Sequence, residues 1–295
     1  MLNDNHRKRK PLTKADIKRL RDSLPKRVDI GSEGTKVTPK DEVKAEPSEC
    51  AGGVAPVLEE HLPEICVPLS AEEIRSFQVY ASMLREKNKV MNLTAVDDDN
   101  GIAMKHFIDS LTLCPYIREE EEKAGNKNLT LADIGTGAGF PGLPLKISMP
   151  ELEVTLMDSL AKRLGFLGEV CTALSLEGVN MVHTRAEDGG KDKRYRESFD
   201  IVTARAVAAL PVLAEYCLPF VKVGGVFLAM KGHAEEEIKN ATKAIALLGG
   251  TVEKTDTFRL PGTDMDRTII VVRKIRPTPA RFPRKAGLPS KEPLS

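Results

Sequence analysis

The stretch from Leu129 to Gly142, LTLADIGTGAGFPG, constrains the fold more than any other. A short apolar run ends at Asp133. Gly135, Gly137 and Gly139 follow on alternate positions, and an apolar, helix-like stretch comes next. This is the pattern of a strand, a tight glycine turn and a helix start. Glycine admits positive φ and lets a ligand approach the backbone with no Cβ in the way. The free N–H groups of the helix start add a positive dipole end. Such a turn floors a nucleotide-type pocket at the carboxyl edge of a parallel sheet.

The chain around it has a matching rhythm. Candidate strands at 129–134, 153–158, 179–183, 199–204 and 225–230 alternate with helix-like stretches at 141–148, 160–174, 208–218 and 234–248. Strands spaced by helices predict βαβ units and a mainly parallel α/β sheet. Two more strands, 251–259 and 267–273, flank Pro261-Gly262 and predict an antiparallel hairpin at the sheet edge. Upstream, Ser70 and Glu73 have capping-box spacing, which predicts a helix running to about Lys89. Asn92 in NLT reads as a turn or cap residue. A second helix is expected from Ile102 to Ile117, ended by the acidic run Glu119 to Glu122 and by Gly125-Asn126. Its His106 and Asp109 read as a polar pair between helix and sheet.

Composition sets the outer bounds. Residues 1–67 are rich in Lys, Glu, Pro and Gly, hold few large apolar side chains, and are expected to be a poorly ordered extension. Residues 68–275 form the expected catalytic domain, and 276–295 an extended, basic, proline-rich tail. Net charge is +6 over residues 1–30, +6 over 273–295 and −11 between them. An acidic body with basic ends fits local contacts to a polyanion rather than a nucleic-acid-coated domain. The five cysteines are scattered, with no C-x-x-C pair, which suits free thiols in a reducing compartment. No apolar run approaches the ~20 residues of a membrane span, so the expectation is a cytoplasmic protein without metal or membrane partners.

Three acids at strand ends suggest a nucleoside pocket: Asp133, Asp158 and the pair Glu187-Asp188. A carboxylate after the second strand can accept both ribose hydroxyls. Singly, each acid also reads as a loop carboxylate or a cap. A dinucleotide brings a pyrophosphate, which favours a helix N-terminus without a nearby anion. Asp133 beside the turn would repel it. S-adenosylmethionine has no phosphate, and its amino group and sulfonium are cationic, so an acid at the turn suits it.

The blocks DIGTGAGFPG, LMDSLAKRLGFL and FDIVTARAVAAL resemble the RsmG family, formerly GidB. NLTAV, KHFIDSL, AMKG and PRKAGLPSKEPL also match its pattern, in order, over about residues 68–295. The resemblance implies a Rossmann-like class I S-adenosylmethionine-dependent methyltransferase fold: a seven-stranded, mostly parallel sheet with an antiparallel C-terminal hairpin and added N-terminal helices. It also implies methylation of N7 of one guanine in bacterial 16S rRNA, within the RNA, the small ribosomal subunit or an assembly intermediate. Carried onto this chain, the cofactor contacts fall on Gly135, Phe140, Ala186, Glu187 and Arg205. The residues read above add Asp133, Gly137, Gly139 and Asp158. Read without the resemblance, Phe140 is a core ring and Arg205 a surface ion pair.

No general base is expected, because guanine N7 carries a free lone pair and in-line transfer needs positioning instead. Arg281, Arg284 and Lys285 in the tail are the candidate RNA contacts. Lys231 reads either as a phosphate contact or as a solvated strand end. Three other readings stay open at this stage: a nicotinamide-dependent oxidoreductase, a non-catalytic ribosome-assembly factor, and a methyltransferase for a small molecule.

Overall fold

The computed structural model describes residues 53–294; the expectation of poor order over the first fifty or so residues lies outside that range. Residues just upstream of 68 are not a loose extension: helix α1 (Ala55–His61) and a 3-10 turn (Leu62–Ile65) bury Val54, Leu58, Leu62 and Val67 against the body. These four side chains are enough to hold a seven-residue helix that is too short to be stable alone.

Helix α2 (Ala71–Met91) starts on the capping box: Ser70 accepts from the Glu73 N–H, and the Glu73 carboxylate accepts from the Ser70 N–H. Asn92 ends it in the left-handed conformation. The second predicted helix is divided. Helix α3 (residues 99–111) contains a π-helical stretch, Ala103–Ile108, and α4 (Cys114–Ala124) restarts at Pro115, whose missing N–H suits a first turn. The acidic run lies inside α4 and does not terminate it; Gly125, at φ 62°, does.

The sheet follows: β1 (Thr130–Ile134), α5 (Gly142–Ser148), β2 (Glu153–Asp158), α6 (Ala161–Ala173), β3 (Val179–His183), α7 (Ala186–Gly189), β4 (Phe199–Arg205), α8 (Leu210–Cys217), β5 (Val221–Lys231), α9 (Glu235–Leu247), β6 (Gly250–Arg259) and β7 (Asp266–Lys274). The strand order is β3-β2-β1-β4-β5-β7-β6, with only the β7 pairings antiparallel. This is the seven-stranded Rossmann-like methyltransferase sheet expected above. Strand β5 begins four residues before its predicted start, with a bulge opposite Phe199 and Ile201.

Alternation along the strands sorts the core into two layers. Leu131, Val154, Leu156, Ile201 and Leu228 face the layer that includes α1–α3, α5 and α6. Ala132, Ile134, Val202, Ala204 and Phe227 face α8 and α9. The chain runs outward from β1 through β2 to β3, then crosses back to β4 on the other side. That reversal leaves a crevice at the carboxyl ends of β1 and β4.

The tail is not loose. Arg196 donates to the carbonyls of Thr278 and Phe282, Thr278 donates to the Leu248 carbonyl at 2.7 Å, Phe282 is buried, and a short helix α10 (Leu288–Lys291) follows. Its prolines do not leave it extended into solvent, because its carbonyls and rings find partners on the body. Among the described residues no helix is long and apolar enough to cross a membrane.

Candidate active site

The crevice holds a cleft of about 510 Å³. Its floor is Ile134 and Gly135. Its sides are Asp158, Ser159 and Arg163 after β2, Ala186 and Glu187 after β3, and Ala206 and Val207 after β4. Tyr216, Gly287 and Ser290 close it. The floor and sides come from the carboxyl ends of β1, β2 and β4 and the turns and helix starts that follow β2, β3 and β4, while Tyr216 comes from α8 and Gly287 and Ser290 from the C-terminal segment.

Gly135 has φ 71°, and a Cβ there would meet the Val207 side chain at 2.8 Å, narrowing the floor. Asp158 is buried and holds three groups: the Gly137 N–H at 3.0 Å, the Leu160 N–H at 2.9 Å and the Arg163 guanidinium at 3.3 Å. It therefore ties the glycine turn to the neighbouring strand. A carboxylate has about four acceptor sites, so it retains capacity for a sugar hydroxyl. Glu187, also buried, accepts the Gly287 N–H at 2.8 Å. Two anchored carboxylates around bare backbone fit a nucleoside with a cationic tail.

Asp133 does not line this cleft. It is fully buried behind the turn, where one oxygen accepts from Thr136 Oγ1 at 2.7 Å and from the Gly142 N–H at 3.0 Å. Its other oxygen has no partner among the described residues. Burial pushes this carboxyl up to about 6. This corrects the expectation that its charge meets the ligand directly. The carboxylate points inward because Thr136 and Gly142 fold over it, and it staples both ends of the turn.

Gly137 and Gly139 also sit off the cleft lining, within the turn. A Cβ on Gly139 would collide with Tyr80 and Leu167. The Tyr80 hydroxyl reaches from α2 and donates to the Ala138 carbonyl between these two glycines.

Phe140 and Arg205 belong to a closed cluster next to the cleft. Phe140 is buried and stacks on His106 with centroids 4.6 Å apart. The Arg205 guanidinium lies 5.2 Å over the Phe140 ring and donates to Asp109 at 2.9 Å and to the Lys105 carbonyl at 2.7 Å. Arg267 of β7 donates to the other Asp109 oxygen at 2.8 Å. His106 Nε2 lies 2.8 Å from the Thr94 hydroxyl, and burial together with Arg205 pulls its pKa down to about 4. The ring is therefore neutral at pH 7. The π-helical stretch of α3 carries Lys105 and His106 and presents the Lys105 carbonyl and the His106 ring to Arg205 of β4.

The family model for rRNA small subunit methyltransferase G matches residues 73–269. The chain is 54% identical over 229 residues to the ribosomal RNA small subunit methyltransferase G of Acetivibrio thermocellus, covering 78% of this chain and 92% of that one. It belongs to this family. The Leuconostoc mesenteroides member is 49% identical, covering 80% and 97% of the two chains. Among solved structures, TrmN from Thermus thermophilus overlays with a TM-score of 0.42 at 17% identity, covering 58% of this chain and 53% of that one. That likeness adds nothing to the strand order already described.

Membership in the methyltransferase G family sets aside the oxidoreductase and the non-catalytic assembly factor. Of the expected cofactor residues, Gly135, Asp158, Ala186 and Glu187 line the cleft. Neither Phe140 nor Arg205 lines it: Arg205 directly precedes the lining residues Ala206 and Val207, Phe140 packs under the Arg205 guanidinium as a core ring, and the Arg205 ion pair to Asp109 is largely buried and not on the surface.

The candidate RNA cations fare differently. Arg284 is engaged with the wholly buried Glu215, at 2.7 Å. Lys231 donates to the Ala208 carbonyl at 2.9 Å and pairs with Glu237 at 2.8 Å. Neither is a free phosphate contact in this state, because each neutralises a carboxylate of the body. Arg281 and Lys285 are exposed. Sequence reasoning missed Arg163, Tyr216, Gly287 and Ser290. Arg163, five residues beyond Asp158 in LMDSLAKR, and Gly287 and Ser290, inside PRKAGLPSKEPL, lie within blocks that carried a signal; Tyr216 carried none.

Proposed function

We propose that this methyltransferase transfers the methyl group of S-adenosylmethionine to N7 of a guanine in 16S rRNA. The observation that carries the reading is the cleft at the strand-order reversal, with Asp158 and Glu187 at its sides and, next to the Ala206–Val207 lining, the Arg205 side chain over Phe140. When bound, the cofactor supplies an electrophilic methyl group.

The chain's own part is placement. Asp158 offers its free acceptor sites to the ribose, and Glu187 with the Ala186 backbone flanks the base of the cofactor. Gly135 leaves the main chain bare under the ligand. Arg205 and Phe140 brace the end where the methyl group is delivered. Guanine N7 presents a lone pair that needs no deprotonation, so orientation and exclusion of water carry the catalysis.

N7 lies in the major groove, which is too narrow in A-form RNA to admit a protein. The substrate is therefore a guanine in an open or distorted region, in the rRNA, the small subunit or an assembly intermediate. Incubation with labelled cofactor and rRNA from cells lacking the protein, followed by mapping of the label, tests this. The expected result is a single N7-methylguanine; label elsewhere, or none on any rRNA or subunit preparation, would refute it. Perfect duplex RNA is expected to be a poor acceptor.

A further inference from the structure

The C-terminal segment was expected to be a basic arm for RNA, yet the structure builds it into the mouth of the cleft. Glu215 on α8 has no exposed surface, and both of its oxygens are taken by Arg284 through the backbone N–H and the guanidinium, at 2.7–3.1 Å. Three residues later the Gly287 N–H reaches the Glu187 carboxylate. Ser290 then meets the Tyr216 hydroxyl at 2.7 Å. Gly287, Ser290 and Tyr216 all line the cleft.

Gly287 has φ 79° and open space where a Cβ would go. Its glycine is needed for backbone conformation, which aims the N–H at Glu187, and not for clearance. Lifting the segment would strip a wholly buried carboxylate of its partner, a costly change, and would uncover Phe282. The segment is therefore fixed against the body.

We propose that residues 284–290 are a wall of the cofactor cleft. Arg284 and Glu215 anchor it, and Gly287 acts as a positioning residue that orients the Glu187 carboxylate toward the cofactor. This rests on the cofactor reading above. The segment's contribution is to cofactor affinity, and RNA affinity does not depend on Arg284.

The test uses the full chain with S-adenosylhomocysteine. Hydrogen exchange of the peptide spanning 284–291 is expected to slow by about threefold or more on binding, together with the glycine turn. Gly287→Ala is expected to weaken binding by about tenfold and to raise KM for S-adenosylmethionine, with KM for RNA within about twofold, the scale of one misdirected hydrogen bond. Because a strained backbone can also impair folding, Tyr216→Phe combined with Ser290→Ala serves as a second variant, removing only hydroxyls, with a loss of about threefold. If the wild type binds the ligand while the peptide exchanges unchanged and both variants bind as tightly, the wall is refuted. A wild type that binds no such ligand refutes the cofactor reading, and this proposal with it.

Discussion

Two neighbouring regions handle charge in opposite ways. The cleft is open, and its carboxylates Asp158 and Glu187 are each held by backbone N–H groups while keeping acceptor sites for a ligand. The cluster under α3 is closed, and its charges are spent on one another: Asp109 is clasped by Arg205 and Arg267, with Phe140 and His106 stacked alongside. A site that must bind and release a nucleoside needs unsatisfied acceptors. A site that must hold the glycine turn and the transfer geometry still needs none. The contrast predicts that damage to the cluster appears first as lost stability, and damage to the cleft as lost affinity.

The largest effect is expected at Asp109. Asp109→Ala leaves two guanidiniums in a poorly hydrated pocket without their anion, and removing one partner of a buried pair typically costs 3–5 kcal/mol. Both arginines retain some exposure, so a loss of about 3 kcal/mol is expected, read from the urea midpoint. Affinity for S-adenosylhomocysteine should change by less than about tenfold. A larger loss of affinity than of stability would break the comparison at its strongest point.

Next come two titrations of opposite sign. His106 falls from 6.5 to about 4 in the fold because of burial and Arg205. The unfolded chain then binds more protons than the native one between those values, so this group's stability is present above about pH 6.5 and lost as pH falls toward 4. Asp133 rises from 3.8 to about 6 because of burial. There the native state binds more protons, so this group's contribution falls as pH rises from about 4 to 6. Each swing is about 3 kcal/mol, and in the wild type they largely offset. Relative to the wild type, His106→Asn should lose stability as pH rises from 4 to 6, and Asp133→Asn should gain it. Urea midpoints across that range check both; parallel curves for the three proteins would show that neither group is buried as described.

How legible this was depends on whether the signal was local. The glycine turn, the capping box of Ser70 and Glu73, and all seven strands follow from spacing, because a strand or a cap is specified by residues a few positions apart. The division of α3 from α4 was equally legible in Pro115, but the apolar repeat across it suggested one continuous helix. Asp133 is legible from spacing as a strand-end acid, but the direction its carboxylate faces is not. Only the fold of Thr136 and Gly142 over it decides which way it points. The tail failed for the same reason on a larger scale: Arg284 looks like a free cation until Glu215, 69 residues away, is placed beneath it. Partners distant in sequence leave no periodic trace.

In the cleft, Asp158→Ala is expected to invert the Asp109 result. Affinity for S-adenosylhomocysteine should fall about 10–100-fold, the scale of charge-assisted hydrogen bonds to a ligand, while stability changes by about 1 kcal/mol through the two N–H groups it releases. Calorimetry and urea unfolding on the same preparation give both numbers.

The smallest effect is the most informative about how the regions communicate. Tyr80 belongs to both: its ring packs 5.4 Å from Phe107 and 5.5 Å from Phe140, while its hydroxyl donates to the Ala138 carbonyl inside the glycine turn. Tyr80→Phe keeps the ring packing and deletes only the hydroxyl, leaving a carbonyl unpartnered at a cost of about 1 kcal/mol. If the cluster steadies the turn through this bond, affinity for S-adenosylhomocysteine should also fall, by about two- to fivefold, because a looser turn binds with a greater ordering cost. A drop in stability with unchanged affinity would mean that the two regions share a wall without coupling, and that the N-terminal helices support the fold without tuning the site.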